Sequence, residues 1–131
     1  MKLLLDTHIW IWAIGRPEKL SREVRRHLDN PRNELYLSPI SIWEAHNLAQ
    51  RNRFTAKPSF REWLGKALTG MPIEQAPFNF ALAEEACRIQ LPRADPGDLF
   101  IAATASLLDM TLVTADTQLL NCVWLQTIPN L

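Results

Sequence analysis

Arg93-Ala94-Asp95-Pro96-Gly97-Asp98 stands directly before the apolar run Leu99–Ala105 and decides how this part of the chain folds. Asp95 is a good N-cap, proline is favoured at the first helical position, and Asp98 then falls in the first turn. The stretch therefore predicts a helix with carboxylates beside its positive end. Caps of this kind are far commoner than active sites, so the other acidic residues decide whether this one has a function.

Two short apolar runs elsewhere in the chain also end close to an acidic residue. Lys2-Leu3-Leu4-Leu5 is followed by Asp6, and Leu112-Val113-Thr114 is followed by Ala115 and Asp116. Apolar runs of this length are typical of strands that are buried on both faces of a parallel sheet. Both acids are therefore expected at the carboxyl end of a central strand.

A further strand is predicted at Leu35–Leu37, followed by Ser38 and Pro39, which signal the start of a helix. That helix carries Glu44 close to its apolar face, where a glutamate is costly unless it is paired, hydrogen-bonded or bound to a cation. A last short strand is predicted at Val123–Leu125. The alternation of strands and helices predicts an α/β fold with a parallel sheet of four to five strands and helices on both faces.

The composition is that of a globular protein. The chain has 131 residues, 47% of them hydrophobic and 21% charged, which fits one domain over residues 1–131. Its longest apolar runs are too short to span a membrane, and Asp6 and His8 interrupt any signal-peptide core. Cys87 and Cys122 lack metal-ligand spacing and are expected to be buried thiols in a reducing cytoplasm.

The net charge of zero hides an uneven distribution. Without Asp6, Glu44, Asp98 and Asp116, 14 basic residues stand against 10 acidic ones. Basic residues cluster in two places: Arg22, Arg25 and Arg26, and Arg51, Arg53 and Lys57. Each cluster is either a solvated helix face or a contact surface for nucleic acid. Arg51 and Arg53, just beyond the Glu44 helix, are the predicted contacts if the surface binds nucleic acid.

The predicted topology brings four acidic residues to one edge of the sheet, because each follows a strand or lies near the start of a helix: Asp6, Glu44, Asp98 and Asp116. Ligands of open parallel sheets bind at this edge, outside the carboxyl ends of the strands. Four carboxylates at that edge would raise one another's pKa and destabilise the fold without a counter-charge. Oxygen-only ligands suit Mg²⁺ or Mn²⁺. Such ions activate water and stabilise the charge that develops on a phosphodiester.

Four segments together resemble the PIN-domain ribonucleases, and more closely the VapC-type toxins of bacterial type II toxin–antitoxin pairs. These segments are Lys2–His8, Ser41–Glu44, Asp95–Asp98 and Leu112–Asp116. The resemblance implies a three-layer α/β/α sandwich and divalent-metal-dependent cleavage of RNA. It also implies a homodimer that a small cognate antitoxin neutralises.

The resemblance also implies roles for particular residues. Asp6, Glu44, Asp98 and Asp116 match the family's acidic quartet as catalytic residues and metal ligands. Asp95 matches the preceding acid of the family's motif, as a supporting residue that does not bind metal directly. Thr7 and Thr114 lie beside quartet members, where their hydroxyls are placed to orient water, although capping explains Thr7 equally well. Many relatives have arginine where this chain has Leu99.

Other classes of protein fit the sequence less well. A haloacid-dehalogenase-like phosphatase would need a second aspartate at position 8, which is His8. A receiver domain would need an acidic pair at the first strand and a late lysine, and no lysine follows Lys66. The remaining alternative is a PIN-fold module that binds RNA or protein without cutting it. Loss of an acidic position would indicate such a module, and none is lost here.

Overall fold

β1 (Lys2–Leu5) is the central strand of a five-stranded parallel sheet with the order β3-β2-β1-β4-β5. The computed structural model describes residues 1–91 and 95–131, so Arg93 and Ala94 of the stretch quoted above lie outside the described residues. The other strands are β2 (Glu34–Leu37), β3 (Ile73–Gln75), β4 (Thr111–Thr114) and β5 (Thr127–Pro129). The predicted parallel sheet of four to five strands is confirmed.

Seven α-helices lie in the described part of the chain. They are α1 (Thr7–Gly15), α2 (Arg22–Asp29), α3 (Pro39–Gln50), α4 (Phe60–Thr69), α5 (Phe80–Arg88), α6 (Pro96–Leu107) and α7 (Thr117–Leu120). None of the helices in these ranges is long and apolar enough to cross a bilayer.

Two apolar layers cover the two faces of the sheet. Successive side chains of a strand point to opposite faces, so Leu3 and Leu5 join one apolar cluster and Leu4 joins the other. The first cluster includes Trp10 of α1 and reaches α2 and α4, whereas the second includes Ile101 of α6. The predicted three-layer α/β/α sandwich is therefore confirmed.

The topology reverses at the centre of the sheet. From β1 the chain moves outward through β2 to β3, and it then returns to the other side of β1 to form β4 and β5. Leu5 pairs with Val113 across this switch point, and the Asp6 N–H continues the ladder to the Val113 carbonyl at 3.0 Å. The groups that follow β1 and β4 are thus brought side by side, as in other open parallel sheets that bind ligands there.

Two predictions from the sequence were wrong. Val123–Leu125 is a turn rather than a strand, and the last strand is Thr127–Pro129. Val123 is fully exposed, and β5 tolerates a proline because it is an edge strand. Cys87 is exposed and Cys122 half-buried, since Cys87 lies on the outer side of α5 next to the buried Ala86.

Candidate active site

Asp6 connects the end of β1 to the start of α1. It is the N-cap of α1, with Oδ1 accepting a hydrogen bond from the backbone N–H of Thr7 at 2.8 Å. Its Oδ2 accepts the hydroxyl proton of Thr114 at 2.6 Å. The side chain is 7% exposed, and this burial raises the pKa of Asp6 although the Thr114 hydrogen bond opposes the shift. Both carboxylate oxygens of Asp6 are therefore engaged within the protein.

Asp116 has the same position after β4. As the N-cap of α7, its Oδ1 accepts hydrogen bonds from the N–H groups of Gln118 at 2.8 Å and Leu119 at 3.3 Å. The backbone N–H of Asp116 donates to the Thr114 hydroxyl at 3.0 Å. Because that hydroxyl donates in turn to Asp6, it ties the two acidic strand ends together. We call Asp6, Thr114 and Asp116 the Asp6 side of the site.

Glu44 reaches the same region from the second turn of α3. Its Oε1 lies 2.5 Å from the Thr7 hydroxyl, which also lies 2.8 Å from the Ser41 hydroxyl. A hydroxyl has one proton to donate, so Thr7 donates to the carboxylate and Ser41 completes the contact by donating to Thr7. Burial raises the pKa of Glu44; the Thr7 hydrogen bond opposes this, and the charges of Asp6 and Asp95 add to it.

Asp95 and Asp98 come from the first turn of α6. Oδ1 of Asp95 caps the helix by accepting the Asp98 N–H at 2.8 Å. One carboxylate oxygen from each of Glu44, Asp95 and Asp98 lies within 4.8 Å of the other two. Burial, followed by the charge of Asp95 and then those of the other three acids, raises the pKa of Asp98 to about 7. We call Glu44, Asp95 and Asp98 the Glu44 side of the site.

Gly97 makes this close approach possible. A Cβ built on Gly97 would lie 2.5 Å from Cδ of Glu44 and closer still to Oε2. The backbone of Gly97 has no positive φ angle, so this glycine is required for space rather than for its conformational freedom. Sequence reasoning missed Gly97 and Ser41 as site residues, because only the fold shows that α3 and α6 meet at these positions.

A cleft of about 620 Å³ opens over the carboxylates. All four members of the predicted quartet, together with Asp95, line it. Its walls also include Thr7, His8, Trp12, Trp43, Asn47 and Arg51. Thr114 is buried beneath this surface. Of the two predicted RNA contacts, Arg51 lines the cleft, and Arg53 is exposed outside it. The three acids that lie closest together include Asp95 and exclude Asp6 and Asp116.

The cleft carries more negative charge than the described residues balance. Within residues 1–91 and 95–131, the ion pairs are His27–Glu23 and Arg88–Glu85, and neither involves a cleft carboxylate. Three oxygen ligands within a few ångström and without a basic partner suit a hard divalent cation such as Mg²⁺ or Mn²⁺. The chemistry of the donor set therefore fits the metal that the resemblance implies.

Comparisons with known proteins agree with this fold. The PIN domain family matches residues 3–123 of the chain. VapBC2 from Rickettsia felis, solved bound to a promoter DNA fragment, is 20% identical with a TM-score of 0.71, over 98% of each chain. VapBC-1 from nontypeable Haemophilus influenzae is also 20% identical over 98% of each chain, with a TM-score of 0.69. VapBC-5 from Mycobacterium tuberculosis is 18% identical over 98% of each chain, with a TM-score of 0.63. No curated protein sequence matches the chain significantly.

Proposed function

This chain belongs to the PIN domain family, and from that premise we propose that it is a divalent-metal-dependent ribonuclease acting as the toxin of a toxin–antitoxin pair. The observation that carries the proposal is the group of carboxylates at the switch point, which lack a basic partner within the described residues. A carboxylate cluster of this kind stores repulsion that a bound cation relieves. We therefore expect the repulsion to lower the free energy of unfolding when no cation is bound, and a bound cation to raise it.

The residues divide the work between them. Glu44 and Asp98 would hold the cation together with Asp95, for which the resemblance implied only a supporting role. When bound, the cation polarises a phosphodiester and lowers the pKa of a water molecule. Thr7 fixes the rotamer of Glu44 through its hydroxyl. Asp6 and Asp116 close the opposite side of the cleft, where they would bind a second ion or orient water. Asp98 has to lose its proton to bind metal, so a pKa of about 7 makes metal affinity rise through neutral pH.

The partners follow from the same proposal. The similar structures are VapBC and other toxin–antitoxin complexes, which supports a cognate antitoxin protein as the partner of this chain. Residues 1–131 would act as one domain, and we propose a homodimer that works in the cytoplasm, where its RNA substrate is. RNA is the proposed substrate because the cleft combines metal-ligating carboxylates with a basic side chain, Arg51.

The direct test is incubation of the purified protein with total RNA. We expect cleavage with Mg²⁺ or Mn²⁺ and none in excess chelator. Glu44→Gln and Asp98→Asn should lower the rate about a hundredfold or more, since even indirect partners of metal ligands are worth 10–100-fold in affinity or activity. Glu62→Gln, on the exposed first turn of α4, is the matched control and should retain full activity.

Two results would contradict the proposal. Undiminished cleavage in chelator would exclude the metal-dependent reaction. RNA binding by the unsubstituted protein with no cleavage under any metal would instead indicate the non-cutting PIN-fold module.

A further inference from the structure

Trp43 is an exposed tryptophan beside the carboxylates. It is 57% exposed, and it precedes Glu44 on the wall of the cleft. Tryptophan buries a large apolar area when it packs, yet Trp43 belongs to none of the apolar clusters of the described residues. By contrast, Trp10 is fully buried and packs edge-on against Trp63, with ring centroids 5.3 Å apart. Core packing therefore does not account for Trp43.

A second aromatic group lines the same cleft from the neighbouring helix. α1 packs against α3, and its residues His8 and Trp12, one turn apart, both line the cleft. Their rings lie 5.6 Å apart, and Nζ of Lys19 lies 5.5 Å from the centre of the Trp12 ring. Both helices thus contribute aromatic rings to the lining of the cleft, and the positive charge of Lys19 lies beside the Trp12 ring.

The basic residue Arg51 continues this wall along α3. Trp43 and Asn47 of α3 and its C-cap Arg51 are spaced by four residues, and all three line the cleft. With a rise of about 1.5 Å per residue, Arg51 lies about 10 Å beyond Glu44 along the helix axis. The cleft therefore combines carboxylates that suit a cation, aromatic rings and a fixed positive charge.

We propose that Trp43, supported by Trp12, stacks on an unpaired base of the RNA next to the phosphate at the carboxylates. This inference rests on the proposed function, and it adds a base contact to the reaction at the same cleft. Aromatic rings interleaved with phosphate-binding charges are how proteins hold single strands, because every base has a face on which a ring stacks. A protein partner would not need carboxylates for a cation, aromatic rings and an arginine together in one cleft.

The test compares two single-stranded ligands in a protein that cannot cut them. All proteins carry Asp98→Asn, and binding is measured in Mg²⁺ by fluorescence anisotropy. The ligands are a labelled oligoadenylate and a ribose-phosphate oligomer of equal length without bases. Trp43→Ala should weaken oligoadenylate binding about 5- to 150-fold, which corresponds to 1–3 kcal/mol for one stacked base. It should leave binding of the base-free oligomer unchanged, and Trp43→Phe should restore most of the affinity for oligoadenylate.

Trp124→Ala is the matched control, because Trp124 is similarly exposed at 41% but does not line the cleft. Unchanged affinity of Trp43→Ala for oligoadenylate would overturn the proposal and leave the ring to a protein partner. Equal losses on both ligands would also overturn it, since the ring would then act through the fold. If base-dependent binding requires Trp43 while the unsubstituted protein cuts no RNA, the stacking proposal stands and the nuclease proposal fails.

Discussion

The two sides of the cleft differ in how fully the protein itself satisfies their carboxylates. On the Asp6 side, Asp6 and Asp116 each cap a helix and each accept two hydrogen bonds from protein donors. On the Glu44 side, the carboxylate of Asp98 accepts no hydrogen bond from any described residue, and it lies within 4.8 Å of two other acids. A carboxylate whose oxygens accept hydrogen bonds from the protein is held in place by the fold, whereas Asp98, which accepts none, keeps its binding capacity for a ligand.

The first prediction tests whether the Glu44 side depends on its carboxylates lying close together. The test separates these carboxylates without removing any of them. Gly97→Ala places a Cβ where the Glu44 carboxylate now lies, so Glu44 has to move away from Asp95 and Asp98. A displacement of about 1 Å at a reacting centre costs about a hundredfold in rate, and we expect a loss of that size in RNA cleavage.

Gly65→Ala in α4 is the matched control, because its Cβ meets nothing within 4 Å. This variant should cleave RNA at the original rate and gain up to about 1 kcal/mol of stability from the better helix propensity of alanine. Full activity in Gly97→Ala would mean that the three carboxylates need not lie together.

The second prediction compares the stability of the two sides directly. Asp6→Ala removes the cap of α1 and leaves the Thr114 hydroxyl and the Thr7 N–H buried without an acceptor. The expected loss is about 1–3 kcal/mol in the free energy of unfolding. Asp98→Ala removes a repelled charge and should not lower that free energy, when both variants are unfolded by urea in chelator above neutral pH. Equal losses would show that both sides are structural.

The third prediction concerns pH. The pKa of Asp98 is about 7 in the folded protein against 3.8 for a free aspartate, so between these values the folded state binds more protons than the unfolded state. Stability in chelator should therefore fall as pH rises from about 4 and level off above about 7. Asp98→Asn should reduce this slope without abolishing it, because burial also raises the pKa values of Asp6 and Glu44. If Asp98→Asn leaves the slope of the free energy of unfolding against pH unchanged in urea unfolding, Asp98 is not the residue that causes this dependence.

The parts of the fold and of the site that could be predicted are those that depend on residues close together in the sequence. An apolar run that ends on an acid predicted the positions of Asp6 and Asp116, and a cap followed by proline predicted the start of α6. The alternation of strands and helices predicted the parallel sheet, whereas the strand order that brings the ends of β1 and β4 together is seen only in the structure. The assignment of roles within the cleft did not follow, because whether a carboxylate caps a helix or faces another acid depends on contacts between distant segments.

Particular residues show where the local signals end. Asp6 and Asp98 were expected alike as carboxylates at one edge of the sheet. In the structure Asp6 caps α1 and accepts the Thr114 hydroxyl proton, whereas α6 is capped by Asp95 and not by Asp98. Leu99, in the position where many relatives have arginine, packs against the cluster that α5 and α6 share. The last strand was misplaced because Val123 and Trp124 have strand-like sequence but lie exposed in a turn.

The smallest expected effect concerns the arginines at the C-terminal end of α3, the helix that carries Glu44. The sequence predicted Arg51 and Arg53 together as RNA contacts, and the cleft is lined by Arg51 alone of the two. In the cleavage-silent Asp98→Asn protein, Arg51→Gln should weaken binding of single-stranded RNA. It should also reduce the steepness of log affinity against log salt by about 0.7, the share of one phosphate. Arg53→Gln should change neither quantity, since both variants remove one exposed charge and only Arg51 of the two lines the cleft. Equal effects of the two substitutions would mean that RNA senses the overall charge of this helix end, and that lining the cleft does not decide which arginine contacts RNA.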